Sequence, residues 1–210
     1  MLSLPQIQRH VLSSDTDQLL GDLARNGTLL PLPIRLQLSH SIEACLGLAL
    51  RRVAELTHGP TQLSRTIMER LLMSQQTLEG QEIVVLVAQM AGLARALSLG
   101  VVDADLETPV LQRLRELSFT LASLQASDGL LGTTTDCREA DRVRSSAFAV
   151  YLLAPVRDEV SLVGIAALLT ALEERRPLDD PGSEELVEVA LATWPRGQGV
   201  RAQRLDSLAA

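Results

Sequence analysis

The 210-residue chain contains no lysine, so every one of its 19 basic residues is arginine. Without lysine there is no amine for a Schiff base, no lysine general base and no phosphate-loop lysine. A GC-rich, bacterial genome, where arginine codons replace lysine codons, accounts for the bias. Aromatic residues make up only 2% of the chain. The core must therefore be built from Leu, Val, Ile and Ala, which favours helix-on-helix packing over an aromatic-rich β-sandwich. There are two cysteines, Cys45 and Cys137, far apart and in different segments, and they are expected to be free thiols in a reducing compartment. The N-terminal stretch lacks a positive region ahead of an apolar run, so no signal peptide is expected. The longest nearly unbroken apolar run, Val160–Leu172, is shorter than the roughly 20 residues a bilayer span needs. The expected location is cytoplasmic, with no membrane span.

The net charge of −7 removes the electrostatic footprint on which nucleic-acid affinity rests. The clusters Arg51–Arg52, Arg175–Arg176 and Arg196–Arg204 do not reverse it. A hydrophobic fraction of 46% with 21% charged residues is a globular composition.

Helical periodicity with turn residues between segments predicts an all-α chain of eight helices. They span about 14–25, 34–56, 62–76, 81–99, 109–125, 138–153, 156–176 and 183–194. Thr108 followed by Pro109 reads as the start of the fifth, and Ser183 with Glu184 and Glu185 as the start of the eighth. No segment alternates with period two for long enough to be a strand. Glycines close the turns after the odd helices at 27, 80, 129 and 182, giving spacings of 53, 49 and 53 residues. A fixed period of this kind marks a repeat. The predicted unit is one domain over 1–195, with hairpins at about 14–58, 61–100, 107–154 and 156–194 and a tail over 196–210. Even helices such as the fourth are apolar on nearly every face, whereas the third and fifth carry one apolar stripe. Val110, Leu114, Leu117, Leu121 and Leu124 form that stripe in the fifth. The pattern fits a partial α/α toroid, or a curved two-layer array, with inner buried and outer amphipathic helices. The seventh breaks the rule, being apolar almost all round over Leu162–Leu172, and calls for cover by the eighth helix or by a partner.

The stretch Arg115-Glu116-Leu117…Leu121-Ala122-Ser123-Leu124-Gln125-Ala126-Ser127-Asp128-Gly129 resembles the repeat of the terpenoid cyclase and prenyltransferase α/α-toroid superfamily, in which a helix ends in Leu-Gln, a spacer and Asp-Gly. The following Asp141…Ser145–Leu153 resembles the inner helix that comes next in those proteins, and Leu71–Gln76 with Glu79-Gly80 is a weaker copy. The resemblance covers residues 61–155. It implies a toroid of about six hairpins, of which four are counted here, so either the ring is open or another copy completes it as a homo-oligomer. Leu130 or Leu131 stands where the family has an aromatic residue.

The resemblance also implies where chemistry would sit. Squalene-type cyclases protonate substrate with an Asp-x-Asp-Asp motif that this chain lacks. Its nearest equivalent, Asp179-Asp180 beside Pro181, is expected to cap the last helix. Zinc, used by related enzymes, would need Asp136-Cys137 plus His40 or His58. Adjacent ligands rarely reach one ion, so no metal and no cofactor is expected. Loops after outer helices gather at one end of such arrays, which makes Glu82, Asp128, Asp136, Asp141 and Arg144 the candidate catalytic residues of an acidic and basic cleft. Those positions are also where ordinary helix caps need charge. Trp194 reads as a plug over the last hairpin. The expected function is that of a non-catalytic helical-repeat scaffold binding a protein or a small apolar ligand. The alternative is a degenerate or partial relative of the cyclases with an acidic cleft.

Overall fold

The architecture follows from which helices can bury all their faces and which cannot. The computed structural model describes residues 4–13, 41–74, 82–132, 138–160 and 164–194. Among these are eight α-helices: α1 (Leu4–Ser13), α2 (Ile42–Leu56), α3 (Gln62–Met73), α4 (Ile83–Ser98), α5 (Ala104–Ser123), α6 (Glu139–Leu153), α7 (Ile165–Glu174) and α8 (Pro181–Thr193). A 3-10 turn, Ala154–Val156, follows α6. The only β-type pairing among the described residues is an isolated bridge between Gln125 and Leu131. No helix among them is long and apolar enough to cross a membrane.

α2, α4, α6 and α8 lie side by side, each packed on the next, and form the inner row. α3 packs against α2 and α5, α5 against α4, and α7 against α6 and α8. α1 rests on α2, with Ile7 wholly buried. The expected contrast holds between α4 and α5, whereas α8, at the end of the inner row, buries only 5 of its 13 residues. α4 buries 12 of its 16 residues, while α5 buries only the stripe Val110, Leu114, Leu117 and Leu121. Leu124 is partly buried against that core, and Trp194 closes it at the end of α8 with 8% of its surface exposed.

The centre of the inner row depends on two glycines. A methyl on Gly47 would lie 2.3 Å from the carbonyl oxygen of Ala88, and one on Gly92 would lie 2.2 Å from that of Gly47. α2 and α4 therefore meet backbone to backbone, and Ala44, Ala88 and Ala91 keep the surrounding seam narrow. Glycine inside a helix costs about 1 kcal/mol relative to alanine. The cost is offset here by close packing that no larger residue permits.

Several expected boundaries are corrected. α1 was not anticipated. Leu4 and Ile7 supply its buried side, and Pro5 falls in its first turn, where a missing N–H is tolerated. The expected helix at 14–25, residues 34–40 of the second, the glycines at 27 and 80, and the tail lie outside the described residues. α5 begins at Ala104, not at Pro109, so Thr108 is not its cap and Pro109 sits inside the helix. Its extra first turn is held from outside: Arg65 of α3 bonds Asp103 at 3.2 Å and Asp105 at 2.7 Å.

The seventh segment is also shorter than expected. A turn follows the 3-10 element, and α7 starts only after Gly164, whose left-handed backbone (φ +79°) no helix can contain. One face of α7 buries Ile165, Leu168, Ala171 and Leu172 while Ala166, Ala167 and Thr170 are exposed. α8 starts behind Asp180, one of the pair expected to cap it, and not at Ser183: Asp180 accepts from the Ser183 N–H at 3.0 Å, and Pro181 takes the first helical position. Gly182 is consequently a first-turn helical residue and not a turn glycine. Gly129, at φ +83°, does occupy the turn expected of it.

Replacing Gly47 or Gly92 by alanine should lower stability by about 2 kcal/mol, the overpacking cost outweighing the gain in helix propensity. Gly59→Ala, where an added methyl meets open space, should change it by less than about 0.5 kcal/mol. Urea denaturation of the three variants checks the contrast.

Candidate functional site

The turn between α5 and α6 is assembled from its own backbone first. The Ala126 N–H donates to the Leu130 carbonyl at 2.9 Å, and the Gly132 N–H to that of Leu124 at 2.8 Å. Residues Leu130, Leu131 and Gly132 are buried, so their remaining polar groups need partners inside the protein. Two buried polar residues of α6 provide them. The Ser146 hydroxyl accepts from the Leu131 N–H at 3.0 Å, and Arg142 Nε donates to the Gly132 carbonyl at 3.1 Å.

Arg142 then turns its fork onto Asp128, with Nη2 to Oδ1 at 2.6 Å and Nη1 to Oδ2 at 3.0 Å. Its side chain is only 5% exposed, against 32% for Asp128. Asp128 Oδ1 also accepts from the Leu130 N–H at 3.2 Å, and Oδ2 from Arg175 Nη2 at 3.0 Å. Arg175 in turn bonds Glu139 through Nε at 2.8 Å and the Ala171 carbonyl through Nη1 at 2.9 Å. The hydrogen bonds from Arg142 are the main reason the Asp128 carboxyl is held below the ordinary carboxylate range. Burial opposes them, and the Leu130 N–H and the charges of Arg142 and Arg175 add to them.

A second group adjoins the first on α6. Arg144 pairs with Asp141 one turn earlier and approaches Asp180, at the start of α8, to 3.8 Å. Asp180 is held below its ordinary pKa chiefly by the Ser183 hydroxyl, and also by the Ser183 N–H.

Of the candidate catalytic residues, Asp128, Asp141 and Arg144 thus lie around the first turns of α6, in two neighbouring ion-pair groups. Glu82 stands exposed before α4, where its carbonyl takes the first helical bonds while its side chain caps nothing. Its neighbour Ile83 does reach the turn, since a methyl on Gly132 would lie 3.3 Å from Ile83 Cδ1. Among the described residues Glu82 joins neither ion-pair group. Asp136 lies outside the described residues, as do Cys137 and His40. No three His, Cys, Asp or Glu side chains among the described residues could hold a metal ion together, and Cys45 is buried.

Four residues central to this arrangement were not picked out from sequence: Gln125 (in its structural role), Glu139, Arg142 and Arg175. A signal for Arg142 existed. It shares a helix face with Ser146, Ala149 and Leu153, all buried, so its side chain had to enter the protein and find a partner there. Comparison of the chain with protein families, curated proteins and solved structures returned no match.

Truncating Arg142 to leucine leaves the Asp128 carboxylate and the Gly132 carbonyl without their partner. It should cost about 3 kcal/mol, the low end for one half of a buried pair because Asp128 is partly solvated. The Asp128 contribution has a defined sign with pH. A carboxyl depressed in the folded state stabilises fully above its unfolded value, 3.8, and the contribution fades as pH falls through the lower folded value. Urea midpoints of Asp128→Asn and wild type should therefore differ at pH 7 and converge in acid.

Proposed function

We propose that the chain is a non-catalytic helical-repeat scaffold that engages a protein or a small apolar ligand. The observation that carries this reading is the state of the charged groups at the turn. Asp128 is consumed by Arg142 and Arg175 and so ties the α5–α6 turn to α6 and α7, while Asp141 is consumed by Arg144 within α6. A general acid or base works best with a pKa near the working pH, whereas Asp128 is pushed the other way. Phe119, 78% exposed on the outward side of α5, supports a protein partner in a chain with few aromatic residues to spare. Two cysteines far apart along the chain suit a reducing, cytoplasmic setting.

A second reading, a reduced relative of the α/α-toroid cyclases and prenyltransferases, has its own support. Contacts join the starts of neighbouring inner helices, Gly132 against Ile83 and Arg144 near Asp180, so charged residues gather at one end of the inner row. The two readings separate on turnover. Purified protein incubated with squalene-type hydrocarbons, and with prenyl diphosphates plus a divalent cation, should leave both unchanged over buffer. Conversion abolished by Asp128→Asn or Asp141→Asn would overturn the scaffold reading in favour of the enzyme.

A further inference from the structure

Three residues of the Leu-Gln-x-x-Asp-Gly turn each touch α7, and together they follow it from end to end. At its start Gln125 Nε2 donates to the Gly164 carbonyl at 3.0 Å while holding the Gly129 carbonyl at 2.9 Å. A methyl on Gly164 would collide with the Gln125 amide, 1.9 Å from Oε1. Along its middle Gly129 lies against the helix, where a methyl would meet the Ala167 carbonyl oxygen at 2.8 Å and Ala171 Cβ at 3.1 Å. At its far end Arg175 reaches back to Asp128 at 3.0 Å and to Glu139 at 2.8 Å.

The apolar grip on α7 is small by comparison. It buries Ile165, Leu168, Ala171 and Leu172 and leaves an alanine face in solvent. A helix of 10 residues is also shorter than the roughly 12–15 at which isolated helices become even marginal in water. The ion pairs at its end are partly solvated, with Arg175 19%, Asp128 32% and Glu139 66% exposed, and such pairs hold weakly and respond to salt. α4, in contrast, is enclosed on all sides.

We propose that the turn over residues 125–129 is a releasable clasp, from which α7 undocks as one unit while α2, α4 and α6 stay folded. Asp128, Glu139, Arg142 and Arg175 are the charged groups that meet at the clasp. Arg142 continues to hold Asp128 on the α6 side when Arg175 lets go, so the turn keeps its shape after release. Undocking uncovers the surfaces of α6 and α8 on which α7 rests.

Hydrogen exchange followed by mass spectrometry at neutral pH tests this on the full chain. Gln125→Ala and Arg175→Gln should each speed exchange of residues 165–174 about fivefold, the effect of a partly exposed polar contact, and leave residues 83–98 at the wild-type rate. Arg65→Gln, which breaks a comparable ion-pair group between α3 and α5, should leave α7 unchanged. Equal acceleration of α7 and α4 would show a loss of global stability, and no acceleration of α7 would show that the clasp does not limit its opening. Either result overturns the proposal. Should the variants not fold, wild type at about 1 M salt, where the screening length falls to about 3 Å, gives the same comparison. Selective acceleration of α7 supports the clasp, and its absence overturns it.

Discussion

The backbone-to-backbone contact of α2 and α4 at Gly47 and Gly92 is the constraint on which the remaining packing rests. A methyl at either position would penetrate the opposing main chain to 2.2–2.3 Å, so the two helices meet with no room for a side chain between them there. α4 then carries neighbours on its other sides: α5 from the outer row, α6 from the inner row and the 3-10 turn after α6. Its length of apolar residues on every face has no other resting place than the centre of such a group. Widening the α2–α4 seam would move α4 relative to α5 and α6 together, because close-packed interiors transmit displacement and do not absorb it.

Around that apolar centre the polar groups divide labour by depth. Two buried ones, Arg142 and Ser146, answer main-chain groups of the buried α5–α6 turn. The shallower ones, Arg175, Glu139, Arg144 and Asp180, tie one helix start or end to another. Arginine suits both tasks, since its planar fork bonds a carboxylate with two donors and leaves Nε for a carbonyl. In a chain without lysine these forks are the only cationic groups besides histidine, and the described ion pairs show them spent on architecture. That division places Asp128 at a joint between the α5–α6 turn, α6 and α7.

The helical rows were legible because period and burial agree in them. The stripe Val110, Leu114, Leu117 and Leu121 and the uniformly apolar α4 each admit one arrangement, and the structure adopts it. Misreadings fall where a local rule met a tertiary contact. Pro109 resembles a helix start, but Arg65 reaches across from α3 to Asp103 and Asp105 and supports an earlier turn. At α8 no distant contact intervenes: Asp180, one of the pair expected to cap the helix, does so, and Ser183 supplies the N–H it accepts. The glycine period likewise holds in spacing at 129 and 182 without holding in role, since Gly182 is helical. At the candidate site Asp128 was legible as a turn residue, whereas its partners were not, because Arg142 and Arg175 lie 14 and 47 residues along the chain.

The sequence by itself determined the helical class, the contrast between a buried α4 and an amphipathic α5, and the exclusion of lysine-dependent chemistry. These depend on residue type and on spacing within a single turn or two, which any stretch of chain carries with it. Only the tertiary structure decided which carboxylate Arg142 meets, where α5 begins, and that Gln125, Asp128 and Gly129 lie along α7. The physical reason is common to all three. Each is settled by competition among partners distant in sequence for the same few carboxylates, carbonyls and gaps, and that competition has no winner until the helices are packed.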